Sequence, residues 1–117
     1  MTISPIDEKV PFFSSHEGQT LANRLKALGH PVRLEIISRL TTLGEPCCGD
    51  VCDCLPLAQS TVSQHLEILR KAGLIISRQS GNRSCFSIDQ NALDSVSGAL
   101  SVLGAPRKLE QSPSLDK

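Results

Sequence analysis

The sequence contains no tryptophan, no tyrosine, one methionine and three phenylalanines in 117 residues. A large aromatic core is therefore excluded. The interior must be built from Leu, Ile, Val and Ala, which suits packed helices. The length supports one compact domain. A core this small gains from burying further apolar helix faces in a dimer. Long apolar runs are missing as well, and nothing approaches the roughly 20 residues of a membrane span. The first 15 residues lack a basic stretch followed by an apolar one, so no signal peptide and no membrane association are expected, and the expected compartment is the cytoplasm. Charge of one sign is also lacking: 12 basic and 12 acidic residues give a formal net charge of zero. No paired carboxylates, nucleophile–base arrangement or phosphate-cradling glycine loop stands out. No Cys-x-x-Cys sits beside a parallel-sheet pattern, so an enzyme such as a thiol reductase is not expected.

What is present is unevenly placed. Residues 59–88 carry Arg70, Lys71, Arg78 and Arg83 against Glu67 alone. A locally positive face on a neutral protein is compatible with DNA binding, although an ordinary solvated surface gives the same count. Five cysteines in a reducing compartment point to metal or redox chemistry rather than a disulfide framework.

Residues 1–15 read as a flexible arm and residues 105–117 as a flexible tail, leaving one domain over 16–104. Leu21, Leu25 and Leu28 set a helical period over 17–28, closed by Gly29. Pro31 suits the first position of the next helix, whose apolar face is Ile36, Ile37, Leu40 and Leu43, with Gly44 closing it. Pro46 opens a short third helix over 47–55, and Pro56 stops it. A fourth helix, 59–71, has Val62, Leu66, Leu69 and Ala72 inward, and Gly73 ends it. Residues 74–79 and 83–88 read as strands around a turn at Ser80, Gly81 and Asn82. A last helix over 91–103 places Leu93, Val96, Leu100 and Leu103 on one side. The expected class is mainly α with a small β-hairpin, in the order α-α-α-α-β-β-α.

A short helix, a turn at Pro56-Leu57-Ala58 and a longer helix make a helix-turn-helix. The outer face of the longer helix shows Gln59, Ser60, Thr61, Ser63, Gln64 and Glu67. Small hydroxyls and amides can donate and accept at base edges and phosphates, whereas a purely solubilising helix carries more Lys and Glu. Arg78 and Arg83 flank the hairpin turn, where a wing would meet phosphates or a minor groove.

The segment from Ala27 to Ile37 (ALGHPVRLEII) resembles the second-helix signature of the ArsR/SmtB metalloregulators, and Leu57 to Ile75 (LAQSTVSQHLEILRKAGLI) resembles their recognition helix. The resemblance covers about residues 20–100, in the right order and spacing. It implies a winged helix-turn-helix repressor that acts as a homodimer on double-stranded operator DNA, with the first and last helices at the dimer interface. It also implies release of the operator on ligand binding, usually at a resistance or efflux operon. The DNA-binding set it implies is Gln59, Ser60, Thr61, Ser63, Gln64, His65, Arg70, Arg78 and Arg83.

Four cysteines fall within eight residues, Cys47, Cys48, Cys52 and Cys54, and Cys85 lies on the second strand of the hairpin. Cys48 and Cys52 are four apart and share a helix face, with Cys47 at the helix start. Thiols in a first helical turn feel the positive end of the dipole, which favours thiolate, while Asp50 and Asp53 oppose it. Four ligands from eight helical residues do not readily surround a tetrahedral zinc. A three-coordinate pyramidal centre needs sulfurs on one side only, the preference of As(III) or Sb(III). Arsenic-sensing members of the family carry Cys-Val-Cys-Asp-Leu-Cys where this chain reads Cys47-Cys48-Gly49-Asp50-Val51-Cys52. Cys47 and Cys52 match the outer cysteines, and Gly49 replaces the middle one. The resulting metal-ligand set is Cys47, Cys48 and Cys52, with Cys54 and Cys85 as extra thiols. No resident cofactor is required; As(III) or Sb(III) is the effector. The zinc-sensing pattern of Asp and His on the last helix is missing, since 91–103 holds only Asp94, and residues 1–20 hold no cysteine for a cadmium or lead site. His16 and His30 read as surface or turn residues. A redox- or sulfide-responsive repressor on the same fold, using Cys47 with Cys52 or either with Cys85, is the competing reading.

Overall fold

A computed structural model describes residues 15–104, so the N-terminal arm up to residue 14 and the tail over 105–117 lie outside the described residues. The elements are α1 (His16–Leu28), α2 (Pro31–Leu43), α3 (Cys48–Asp53), α4 (Gln59–Lys71), β1 (Ile75–Ser80), β2 (Arg83–Ile88) and α5 (Gln90–Leu103). The order is the expected one, and α2 and α4 have the expected ends.

Local chemistry sets the boundaries. Ser15, assigned to the arm, caps α1 by accepting from the Gly18 amide at 2.9 Å. His30 caps α2 through Nδ1, which accepts from the Val32 amide, and Pro31 follows at the first helical position. α4 closes in a Schellman turn: the Leu74 amide donates to Leu69 O and the Gly73 amide to Arg70 O, with Gly73 at φ +79°. The hairpin turn needs only two residues, Gly81 (φ +66°) and Asn82, because Ser80 already pairs with Arg83.

α3 is shorter than the expected 47–55. Cys47 is extended (φ −81°, ψ 165°) and forms a β-bridge with Cys85. At the other end the Leu55 amide donates to Cys52 O in a tight final turn, and Pro56 forbids continuation. The segment before α3 thus acts as a one-residue third strand beside β2. The Phe86 amide donates to Pro46 O at 2.9 Å.

The core is aliphatic apart from Phe86. Ile36, Leu40, Val51, Val62, Leu66, Leu69 and Leu74 are fully buried, with Leu21, Ala27, Ile75, Ala92 and Val96 around them. Val62, Leu66 and Leu69 face inward on α4 as expected, and Ala72 is half-buried. Three expected apolar-face positions differ. Leu43 is exposed at the last position of α2, and α5 buries only its first half: Val96 is inside, whereas Leu100, Val102 and Leu103 are 46%, 74% and 64% exposed.

Candidate nucleic-acid interface and thiol cluster

α4 lies along the surface with its inner stripe on α1, α2 and α3. That packing turns Gln59, Ser60, Ser63 and Gln64 to solvent, while Thr61 is half-buried. Ala58 caps the helix without a side-chain bond, so the cap residue supplies no side-chain acceptor to the first amides of α4.

The arginines are more engaged than their sequence neighbourhood implies. Arg70 makes a two-pronged pair with Glu67 (2.6 and 2.9 Å). Arg78 makes another with Glu45 (2.6 and 2.8 Å), a residue 33 positions away that a local charge count misses. Each carboxylate is held below its ordinary pKa by its arginine's hydrogen bonds. Arg83, at the start of β2, is exposed.

His65 does not face outward with its neighbours. It is half-buried, with its ring centroid 4.5 Å from that of His30 and its Nδ1 3.4 Å from an Arg33 guanidinium nitrogen. Burial, then the nearby His30 and Arg33, push its pKa down. A guanidinium can only donate, so His65 Nδ1 is the accepting side of the contact with Arg33, which ties α4 to the start of α2. Arg33 also donates to Ala27 O, which closes the corner between α1 and α2. No single segment of sequence signals this three-part contact.

Four of the five thiols fall into two pairs. Cys47 Sγ and Cys85 Sγ lie 2.7 Å apart across the bridge between the α3 cap and β2. The Pro46–Phe86 bond that flanks the bridge is the pattern of a non-hydrogen-bonded antiparallel pair, in which facing side chains come closest. Cys85 is buried, and its hydrogen bond with Cys47, then burial, raise its pKa. Cys48 and Cys52 form the second pair on one face of α3. Burial first, then Cys48, push the Cys52 thiol up to about 11. Cys54, at the end of α3, is half-buried. Among the described residues, no three His, Cys, Asp or Glu side chains stand together in a metal-holding arrangement. Cys47, Cys48 and Cys52 are thus near in sequence but not gathered. A Cβ at Gly49 would meet nothing within 4 Å, so the position matching the family's middle cysteine opens onto free space.

The two regions meet. Cys48 Sγ lies 3.6 Å from Ser63 Oγ on α4. A groove of about 430 Å³ runs between the start of α3, the start of α4 and the wing, lined by Cys47, Cys48, Gln59, Ser63, Arg83 and Phe86 among others. One wall holds the thiols of Cys47 and Cys48 and the other holds Gln59 and Ser63 of α4.

A helix-turn-helix whose reading helix is followed by a hairpin and a closing helix defines a winged-helix DNA-binding domain. Residues 30–77 match the family model "Bacterial regulatory protein, arsR family". The chain is 31% identical over 83 residues to the arsenical resistance operon repressor of Staphylococcus xylosus, covering 71% of this chain and 79% of that one. It is 41% identical over 56 residues to the arsenical resistance operon repressor of Escherichia coli, a match spanning about half of each chain (48%). Its fold superposes on a homodimeric winged helix-turn-helix DNA-binding domain from Mycobacterium bovis with a TM-score of 0.62 at 24% identity, over 73% of this chain and 79% of that one. The chain belongs to the ArsR/SmtB family of winged-helix transcriptional regulators.

Proposed function

We propose that this regulator is a homodimeric repressor that binds operator DNA and releases it when As(III) or Sb(III) is taken up by its thiols, controlling an arsenic resistance operon. The observation that carries this reading is the contact of Cys48 with Ser63, in a groove shared by the thiols and the reading helix. Soft thiolate donors suit a thiophilic ion, and relatives from two bacteria are named for arsenical resistance. Cys47, Cys48 and Cys52 are the proposed sulfur set, with Cys54 and Cys85 beside them. Gathering three of these sulfurs pulls Cys47 from β2 or unwinds the first turn of α3. Either movement reaches Ser63 and Gln59. The coupling required is on the order of 1–3 kcal/mol.

On the DNA side, Gln59, Ser60, Thr61, Ser63 and Gln64 are the proposed groove contacts, and Arg70, Arg78 and Arg83 the phosphate contacts. His65, half-buried against His30 and Arg33, serves by holding α4 in position. The exposed Leu100, Val102 and Leu103 of α5 supply an apolar surface for a second copy, in keeping with the homodimeric M. bovis domain. Two reading helices then meet half-sites about one DNA turn, roughly 34 Å, apart.

Operator release by the reduced protein, titrated in parallel with arsenite, zinc and cadmium, tests the proposal. Arsenite is expected to release DNA at micromolar levels from the parent and not from Cys47→Ser, which keeps its DNA affinity. Undiminished release from Cys47→Ser removes the thiol cluster from the mechanism.

The Cys47–Cys85 distance favours one second reading, a redox switch. A peroxide would take two electrons and two protons from the two thiols, giving one disulfide and two waters. Release of DNA by peroxide or persulfide under metal-free conditions, without release by arsenite, selects it.

A further inference from the structure

We infer that Cys47 and Cys85 form a two-sulfur clamp across the junction of α3 and the wing, fitted to a trivalent arsenical that carries one organic substituent. The inference rests on the thiol-effector reading above and deepens it by naming the sulfurs that engage first and the ligand class.

Three observations carry it. The two sulfurs already face each other at 2.7 Å, held by backbone on both sides: Cys47 by its bridge to β2, Cys85 by strand pairing with Arg78. Two sulfurs, not three, stand together at this point, since no set of three metal-ligating side chains is assembled among the described residues. An arsenic already bonded to one carbon has just two positions left for thiolates. The adjoining groove, about 430 Å³ and lined by Phe86 among polar residues such as Gln59, Ser63 and Arg83, gives the substituent space beside one aromatic ring.

The reaction balances without any electron transfer. An organoarsenic(III) oxide meets two thiols; two arsenic–sulfur bonds form, the arsenic–oxygen bond breaks, and the oxygen leaves as water with both thiol protons. The product staples the start of α3 to β2. The sulfurs must move apart to admit the arsenic, and that displacement falls on the wall of the groove shared with Gln59 and Ser63. In this arrangement Cys52 is a bystander to the first binding event.

The test uses the full-length reduced protein and phenylarsine oxide at one equivalent. Affinity is read by titration for the parent, Cys85→Ser, Cys47→Ser and Cys52→Ser. The expected result is a loss of at least tenfold in Cys85→Ser and Cys47→Ser and none in Cys52→Ser. Cys85 is buried, so a footprint on the parent guards against a folding defect. Thiols left free are alkylated in mild denaturant, mapped by mass spectrometry and compared with an arsenical-free sample treated alike. Protection of Cys47 and Cys85 is expected. Protection of Cys48 and Cys52 instead, or parent-like affinity in Cys85→Ser, overturns the clamp while leaving arsenite release of DNA intact. Failure of both phenylarsine oxide and arsenite to bind the parent overturns the clamp together with the thiol-effector reading.

Discussion

At the scale of single residues, neighbours in the sequence serve different ends. Ser63, Gln64 and His65 are consecutive, yet the first two face solvent and the third turns back to His30 and Arg33. A helical residue advances about 100° per position, so one step decides between solvent and the edge of the core. The depressed pKa of His65 has a consequence with a definite sign. As pH falls through the ordinary histidine value of 6.5, the unfolded chain takes up the proton first, and stability falls until the folded imidazole is also protonated. The thermal midpoint is therefore expected to drop between pH 7.5 and 5.5, and to drop less in His65→Gln. An equal drop in both proteins would remove His65 as a cause. The lowered pKa values of Glu45 and Glu67 act below the ordinary carboxylate value of 4.5, outside this window.

At the scale of elements, the wing is fastened to what precedes α3 at the Cys47–Cys85 bridge and at two further points beside it. Pro46 O accepts from the Phe86 amide, and Glu45 holds Arg78. The Glu45–Arg78 pair is exposed, so its interest lies in the charge it occupies rather than in stability. Glu45→Gln frees one arginine for phosphate. Operator affinity at low salt should rise, with the slope of log affinity against log salt steeper by about 1. Band-shift titrations at several salt concentrations check this, and a weaker or unchanged slope would mean that Arg78 faces away from DNA. The helices were legible because each carries its own punctuation: Pro31 and Gly44 around α2, Gly73 after α4, Gly81 in the hairpin. The outward polar face of α4 was legible from period alone. The bridge of Cys47 to Cys85, the reach of Glu45 to Arg78 and the His30–His65 contact were not, since each joins residues more than 30 positions apart. The cysteine cluster was visible as a density of thiols, but its division into two pairs depends on the strand pairing that brings Cys85 back.

At the scale of the whole molecule, the described chain is incomplete as a surface. α1 and α5 pack together, but α5 continues past the core and leaves Leu100, Val102 and Leu103 in solvent. A second copy covers them in the proposed dimer. Val102→Asp combined with Leu103→Asp should shift the protein toward monomer in analytical ultracentrifugation, and weaken operator binding with it. A dimer of parent stability in that variant would place the interface elsewhere. The parent's thermal midpoint should likewise rise with protein concentration. The hydrogen bond from the Phe86 amide to Pro46 O reaches further than its size suggests. That amide is shielded from solvent exchange only while the residues before α3 stay docked on the hairpin. Its deuterium uptake is therefore a clock on a single peptide group, able to report the parting of wing from helix in a sample that contains no DNA at all.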